Sequence, residues 1–510
     1  MRKAIFLAFL AALSSLLTSC GSTGTGGCGQ CIASGVPVSL TMTDDPPAGV
    51  SVLFFQVSLT AASLQPAVGT GPSISLLNGN TPIQIDVTHL QALSAFLSTA
   101  NVPEGTYGSL SLTFANPQLV ILNTSDAALG SSCAVGSICK LTPAVDNSAT
   151  VNFASTPFPI TISSNSPLGF LVDFHLNTVI QSDLSVNLGA ANGITLAELP
   201  AAVPPVPPPF GFLTGTVGSI GTSSSGQSQF TLATPWGRTF AVDVNSSTVF
   251  VDFPPCASPG ILGCVATGDI VLVQVASVES DGELPAAKVI LLSSQTTNQS
   301  VVEGTVVGFN ATQIKLILHN QFASSAAVPL GGVATVTLDK GTAFSVDSGG
   351  FTIPSGFIFS GFNNLTFGQD IRLAVDPGTM SCAISNVVTA SGWEPPPVCT
   401  FSTNNVQLEP SQLSGIVASI NSSTSSFTLG SFPSIAFAAG PPIVLGIAVD
   451  TTSQTTYQGF TPDNFSGVAN GDFVSVNGWL FETDNGILDP AITPPVILAQ
   501  TVTHHTAGVF

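Results

Sequence analysis

"GTVGSI" at residues 215–220 returns as "GTVVGF" at 304–309 and as "GIVASI" at 415–420. Each copy is a glycine followed by alternating apolar and polar residues, the period of a half-buried strand. Copies one and three continue with "FTLAT" (230–234) and "FTLGS" (427–431). All three then carry a strand, a turn and Thr-x-aromatic: "VNSSTVF" (244–250), "LDKGTAF" (338–344) and the longer "VDTTSQTTY" (449–457). A glycine turn leads each into another strand, in "GDIVLVQV" (268–275), "GQDIRLAV" (368–375) and "GDFVSVNG" (471–478). A closing strand follows: "AAKVILLSS" (286–294), "ISNVVTAS" (384–391) and "VILAQTVTH" (496–504). Motifs recurring in one order three times define an internal repeat. The repeats are placed at 212–296, 300–395 and 411–505. Each is expected to form a small antiparallel β-barrel-like (OB-like) sheet, closed or nearly closed on itself.

Composition explains why closure matters. Of 510 residues, 44% are hydrophobic and only 7% are charged, and the net charge is −20. Disordered chains show the opposite balance. With 8 Lys and Arg in total, edge strands cannot be blunted by positive charge. The same shortage excludes nucleic acid as a partner, because phosphate recognition needs a basic surface. An acidic surface is also repelled by anionic lipid, so any membrane attachment must be covalent.

Ahead of the repeats, residues 37–199 read as one β-sandwich-like domain. "VPVSLTMTDDP" and "VSVLFFQVSLTAASLQP" alternate as strands do. "VTHLQALSAFLST" (87–99) is expected as the domain's one short helix, with Leu90, Leu93, Phe96 and Leu97 on one face and Thr88 as N-cap. "PEGTY" reads as a turn, and "LGFLVDFHLN" and "GITLAELP" as closing strands. "PAAVPPVPPPFG" (200–211) is expected as a semi-rigid, Pro-rich linker.

These motifs resemble known families. The V-x-L-x-x-x-D-x-P opening, the short helix, "PEGTY" and "VDFHL" resemble the bacterial lipoprotein family catalogued as domain of unknown function 4382. The G-x-V, Thr-x-aromatic and Gly-Asp-strand pattern resembles domain of unknown function 5666, with copy two departing in its Gly-Gln-Asp. Neither resemblance implies an activity.

The N-terminus supplies an address. Arg2 and Lys3 precede a largely apolar run from Ala4 to Leu17, which is shorter than a membrane-spanning helix. Residues 1–19 are expected to be a lipoprotein signal peptide. "LTSC" (17–20) looks like a lipobox, so Cys20 is the expected lipidation site, followed by a flexible tether to residue 36. The other eight cysteines fall into local pairs: Cys28 with Cys31, Cys133 with Cys139, Cys256 with Cys264, and Cys382 with Cys399. An even number in Gly/Pro/Ser-rich stretches reads as disulfide staples in an oxidising compartment. A redox or zinc reading of "CGQC" lacks the helix or the further ligands that such sites need.

No catalytic constellation stands out. His89 and His319 lie in different modules, each without a neighbouring acid or thiol pattern. His504 and His505 sit at the C-terminus. Asp173 and His175 share a strand face, as a polar pair flanking Phe174 or as the start of an acid–base or metal pair. Asp44, Asp45, Asp269, Asp370 and Asp472 read as turn formers more simply than as calcium ligands. Trp236 and Trp393 are the candidates for a recognition patch. No metal, cofactor or enzymatic activity is expected. The chain reads as a lipid-anchored cell-envelope protein, of the outer membrane on its periplasmic or surface face. Its expected role is structural, adhesive or ligand-binding towards an unknown envelope or extracellular partner. The alternatives are a carbohydrate-binding surface lipoprotein and an envelope hydrolase.

Overall fold

In the computed structural model, five strands of each repeat pair in a ring. The first repeat contributes Phe212–Thr222, Ser228–Ala233, Thr239–Val244, Ile270–Val275 and Leu284–Ser293. The second contributes Ser300–Asn310, Gln313–Phe322, Val333–Val346, Asp370–Val375 and Val398–Leu408. The third contributes Ser411–Asn421, Ser426–Leu429, Ile447–Asp450, Phe473–Phe481 and Val496–His505. The structure describes residues 35–505, apart from 46–51, 68–70, 78, 80, 91–93, 124–127, 129–132, 142–147, 165–166, 182–183, 200–209, 224–225, 254–261, 295–299, 323–327, 376, 384–392, 395, 431–445 and 483–494.

Numbered within a repeat, the order is 1-2-3-5-4-1 in all three. The first, second and third strands alternate in direction, and so do the first, fourth and fifth. Strands three and five must therefore run parallel, and they do. The expected all-antiparallel sheet is corrected at this one seam. The arrangement is the five-stranded order of an OB-like fold.

The repeat motifs are the joints of this ring. The valine of G-x-V exchanges two backbone hydrogen bonds with the Gly turn, through Val217, Val306 and Val417. The turn glycines Gly268, Gly368 and Gly471 hold φ of 94°, 83° and 91°, a left-handed conformation that costs glycine little. A β-carbon on the opening Gly215 would lie 2.6 Å from the Ala233 carbonyl oxygen, and one on Gly304 would collide with the Ile317 carbonyl. The threonine of Thr-x-aromatic ties the ring to its fifth strand. Thr248 donates to the Ala286 carbonyl at 2.8 Å, Thr342 to Thr403 at 3.1 Å and Thr455 to Ala499 at 2.7 Å. The expected closing strand 384–391 lies outside the described residues, and Val398–Leu408 fills its place.

The first domain is a sandwich of two sheets. Val36–Asp45 lies between Ala95–Val102 and Leu168–His175, parallel to the latter. The facing sheet is built on the long pair Val52–Pro66 and Gly105–Leu122. Met42, Phe170 and Phe174 from one sheet meet Phe55, Leu110 and Phe114 from the other in one buried core. The expected helix over 87–99 is not formed. Val87–His89 is a single 3-10 turn capped by Asp86, and Ala95–Val102 is a strand. Phe96 faces the first repeat and Leu97 faces the sandwich core. A strand buried on both faces reads as a nearly continuous apolar run, and here that run mimicked helical spacing. Among the described residues of the domain, Leu176–Val179 is the one helical turn of α type.

Apolar seams join the modules. Phe96, Leu199 and Phe210 belong to the core of the first repeat, and Phe212 pairs with Ala95. The end of the Pro-rich stretch is thus packed, with Thr41 donating to the Phe210 carbonyl at 3.2 Å. Phe54 and Val120 pack on Val307 and Ile317 of the second repeat. Ile270 and Leu292 meet Val301 and Phe322 between the first and second repeats. Trp479, Phe481 and Leu498 of the third repeat complete the second repeat's core. Burying each such aromatic contributes about 1.5–3 kcal/mol.

Disulfides join Cys133 to Cys139 and Cys382 to Cys399, as the local pairing predicts. Cys264 is also disulfide-bonded. Cys20, Cys28, Cys31 and Cys256 lie outside the described residues.

A buried ion cluster backs the seam between the second and third repeats. Arg372 Nε donates to Glu303 at 2.9 Å, Nη1 to Asp347 at 3.0 Å and Nη2 to Glu409 at 3.0 Å. The Asp347 carbonyl accepts from Trp479 Nε1 at 2.7 Å, and Gln369 Nε2 donates to the Leu480 carbonyl at 2.9 Å. Three carboxylates exceed one guanidinium. Burial pushes the Glu409 carboxyl up, Arg372 pulls it down, and Asp347 and Glu303 push it up again, for a net shift well above its usual 4.5.

Three outcomes are expected. Gly304→Ala should cost about 1–3 kcal/mol in urea unfolding, whereas Gly221→Ala, with open space around its β-carbon, should stay within about 0.5 kcal/mol. Arg372→Met removes the guanidinium shared by buried Asp347 and half-buried Glu303 and Glu409, and should cost about 3–5 kcal/mol by the same assay. The folded chain keeps a Glu409 proton that the unfolded chain releases above its usual pKa. The Glu409 contribution to stability therefore falls as pH rises beyond about 4.5. Glu409→Gln should flatten that slope and raise the melting temperature at about pH 8, read by calorimetry across pH.

Candidate functional site

Four side chains from three distant stretches of the sequence meet where the first domain abuts the second repeat. Asp86 ends the strand Ile83–Asp86, and His89 ends the 3-10 turn that follows. His319 lies on the strand Gln313–Phe322 and Asp370 opens the strand Asp370–Val375.

Local structure aims each group. Glu303 pairs with Asn320 and Gly304 with Leu318, so His319 is the extra residue of a β-bulge. Bulges re-aim side chains. Leu318 enters the core of the second repeat, and His319 is buried against the first domain, near Phe54 with ring centroids 5.8 Å apart. Asp370 owes its position to the departure in copy two. In copies one and three the aspartate after the turn glycine accepts from a backbone N–H three residues back: Ala266 to Asp269 at 2.8 Å and Ala469 to Asp472 at 2.7 Å. In copy two Gln369 does this work, accepting from Thr366 N at 2.8 Å. Asp370 is therefore one residue further on than those turn formers, which corrects its assignment to the turn series. It stands opposite Thr305.

The geometry is tight. Asp86 Oδ2 lies 2.7 Å from His319 Nδ1 and 3.2 Å from His89 Nδ1. Asp86 Oδ1 accepts from Thr88 N at 3.2 Å and from Thr88 Oγ1 at 2.5 Å. His319 Nε2 is 3.0 Å from Thr305 Oγ1, which donates to Asp370 Oδ1. His89 Nε2 is 3.7 Å from Asp370 Oδ1, and the two imidazole centroids are 3.8 Å apart. From the third repeat, Gln412 Nε2 donates to the His89 carbonyl. The Asp86 and His319 side chains are 10% and 5% exposed, while His89 keeps 32%, so solvent reaches the cluster from the His89 side.

Charge is shared unevenly. Burial opposes ionisation of Asp86, but His319 and His89 outweigh it and hold the carboxyl well below the usual range. Burial likewise disfavours a charged His89, yet Asp370 and Asp86 raise its pKa to about 10, with solvent at the open edge screening part of the effect. His319 is lowered by burial and then by the His89 charge. Asp370 is lowered against the pull of burial by His89 and His319. In the absence of another cation, one imidazolium lies between two carboxylates.

Among the described residues, two groups hold donor atoms within 4.8 Å of one another, as a metal needs: Asp86 with His89 and His319, and Asp243 with Glu279 and Glu283. In the second group the Gln229 side-chain amide already donates to Asp243 at 2.9 Å and to Glu283 at 2.7 Å.

The residues singled out from sequence fall elsewhere. Asp173 Oδ2 and His175 Nε2 are 4.0 Å apart, with His175 Nε2 3.2 Å from Thr195 Oγ1. Phe174 between them is buried against Phe114, with centroids 5.1 Å apart. Trp236 is half-buried against the cores of both the first domain and the first repeat. Trp393 pairs through its backbone with Leu141 of the first domain. His504 Nε2 is 3.8 Å from Asp472, and His505 Nε2 is 2.6 Å from Ser475 Oγ. Sequence reasoning passed over His319 because its partner Asp86 comes from another module, and over His89 although Asp86 stands three residues before it. The readable traces were that Asp86/His89 spacing and the Gly-Gln-Asp departure of copy two.

Similarity to known proteins bears on architecture alone. No curated protein matches the chain. A solved structure, "drosophila Unr CSD456", is 9% identical over 58% of this chain and 98% of its own, with a TM-score of 0.14, too low to support any argument. Residues 36–197 match the family model "Domain of unknown function (DUF4382)". Residues 414–485, within the third repeat, match "Domain of unknown function (DUF5666)".

Proposed function

We propose that this protein is a non-enzymatic, lipid-anchored component of the bacterial cell envelope. Its β-modules act together as one stiff scaffold that presents a partner- or ligand-binding surface. The observation that carries this reading is the packing between modules. Apolar seams link the first domain to the first and second repeats, the first repeat to the second, and the second to the third. The Arg372 cluster reinforces the last of these, and the Asp86–His319 contact crosses from the first domain to the second repeat. A chain that needed only flexible tethering between domains would not bury charge there, since buried charge is costly unless fully paired. The address rests on the leader, Cys20 and the disulfide pairs. Among the described residues no helix is long and apolar enough to cross a membrane. Sugar stacking is not part of the proposal, because Trp236 is half-buried against the cores of the first domain and the first repeat.

Two measurements test the reading. Cys20→Ala should move the protein from the membrane fraction to the soluble envelope fraction, and unchanged membrane association would rule out the anchor. Calorimetry of the soluble chain should show one dominant unfolding transition across the four modules. Four well-separated transitions would rule out the scaffold.

A further inference from the structure

We propose that Asp86 Oδ2, His89 Nδ1 and His319 Nδ1 are the protein ligands of a zinc-class divalent ion bridging the first domain and the second repeat. The argument starts from a count of protons. A carboxylate can only accept hydrogen bonds, so the Thr305 hydroxyl gives its single proton to Asp370 Oδ1. Thr305 Oγ1 can then only accept, and the group facing it at 3.0 Å is His319 Nε2, which therefore carries the ring proton. A neutral His319 so oriented presents a bare Nδ1 to Asp86 Oδ2, 2.7 Å away. That contact is satisfied by a second ring proton on an imidazolium, or by a metal ion standing in that proton's place. His89 repeats the pattern. Its Nε2 faces Asp370, and its Nδ1 faces the same Asp86 oxygen at 3.2 Å.

Three lone-pair atoms thus converge, and each is held from behind. Thr305 orients His319, Asp370 lies behind His89, and Thr88 occupies the other oxygen of Asp86. Metal-binding histidines and carboxylates are held in this way, the outer nitrogen donating to a carboxylate or hydroxyl. Two imidazoles and one carboxylate suit zinc and its first-row neighbours, whereas calcium and magnesium take oxygen donors. Tetrahedral ligands at about 2.1 Å from an ion lie about 3.4 Å apart, so the 2.7 and 3.2 Å separations need only sub-ångström shifts. Three protein ligands leave a fourth position, which water can fill from the partly open His89 side. The ion would join two modules that no disulfide among the described residues connects.

The probes are Zn²⁺ by calorimetric titration and Co²⁺ by visible absorption, both on the full mature chain. One equivalent of Zn²⁺ should bind, and Co²⁺ at the same site should give the intense visible bands of a tetrahedral N/O environment. Asp86→Asn and His319→Gln should abolish both signals, while the pair Asp243→Asn and Glu283→Gln should leave them intact. Should the first two variants not fold, Thr305→Val, which removes the hydroxyl between the outer nitrogen of His319 and Asp370 and touches no proposed ligand atom, should weaken Zn²⁺ binding by about 10–100-fold. A wild-type chain that takes up no stoichiometric Zn²⁺ would overturn the proposal. So would a Co²⁺ complex lacking tetrahedral bands, or binding lost only in the Asp243/Glu283 variant.

Discussion

The parallel pairing of the third and fifth strands is the constraint on which the rest of the molecule depends. It lets five strands return on themselves in each repeat, so the backbone groups of the third and fifth strands find partners within the unit. A chain with 8 basic residues in 510 has little other means of protecting strand edges. The motifs that mark the repeats serve this ring. The opening glycine lets two strands approach, the turn glycine redirects the chain, and the threonine before the aromatic fastens the closing strand.

Closure within each repeat leaves side chains, more than backbone, to join one module to the next. Phenylalanines fill much of this role, with Phe54, Phe96, Phe322 and Phe481 all at module boundaries. Polar groups are placed where the apolar seams alone would leave orientation loose. Arg372 gathers three carboxylates beside the third repeat, and Asp86 gathers two histidines beside the second. Such buried polar contacts accept few alternative geometries, which sets them apart from the forgiving fit of a greasy surface.

The strands of the repeats were legible because their pattern recurs at fixed landmarks. Ala95–Val102 was not, because a strand buried on both faces shows no alternation, and Phe96 and Leu97 fall at helical spacing from Leu90 and Leu93. Its identity is set by the ladder to Val36–Asp45 and by the first repeat waiting on its other side. The turn-forming aspartates were read correctly in copies one and three and misplaced in copy two, where Gln369 stands in the turn. The His89–His319 cluster was invisible for a plainer reason. Each half lies in a separate module, and only tertiary packing sets them face to face.

The bulge at His319 carries a consequence for how such a cluster arises. The extra residue shifts the register between Glu303 and Gly304, and a second shift follows between Val306 and Gly308, so His319 adds one offset to a ladder that already tolerates another. Removing one codon there would erase this bulge and take the imidazole with it. The junction's imidazole can therefore be acquired or discarded in a single genetic step.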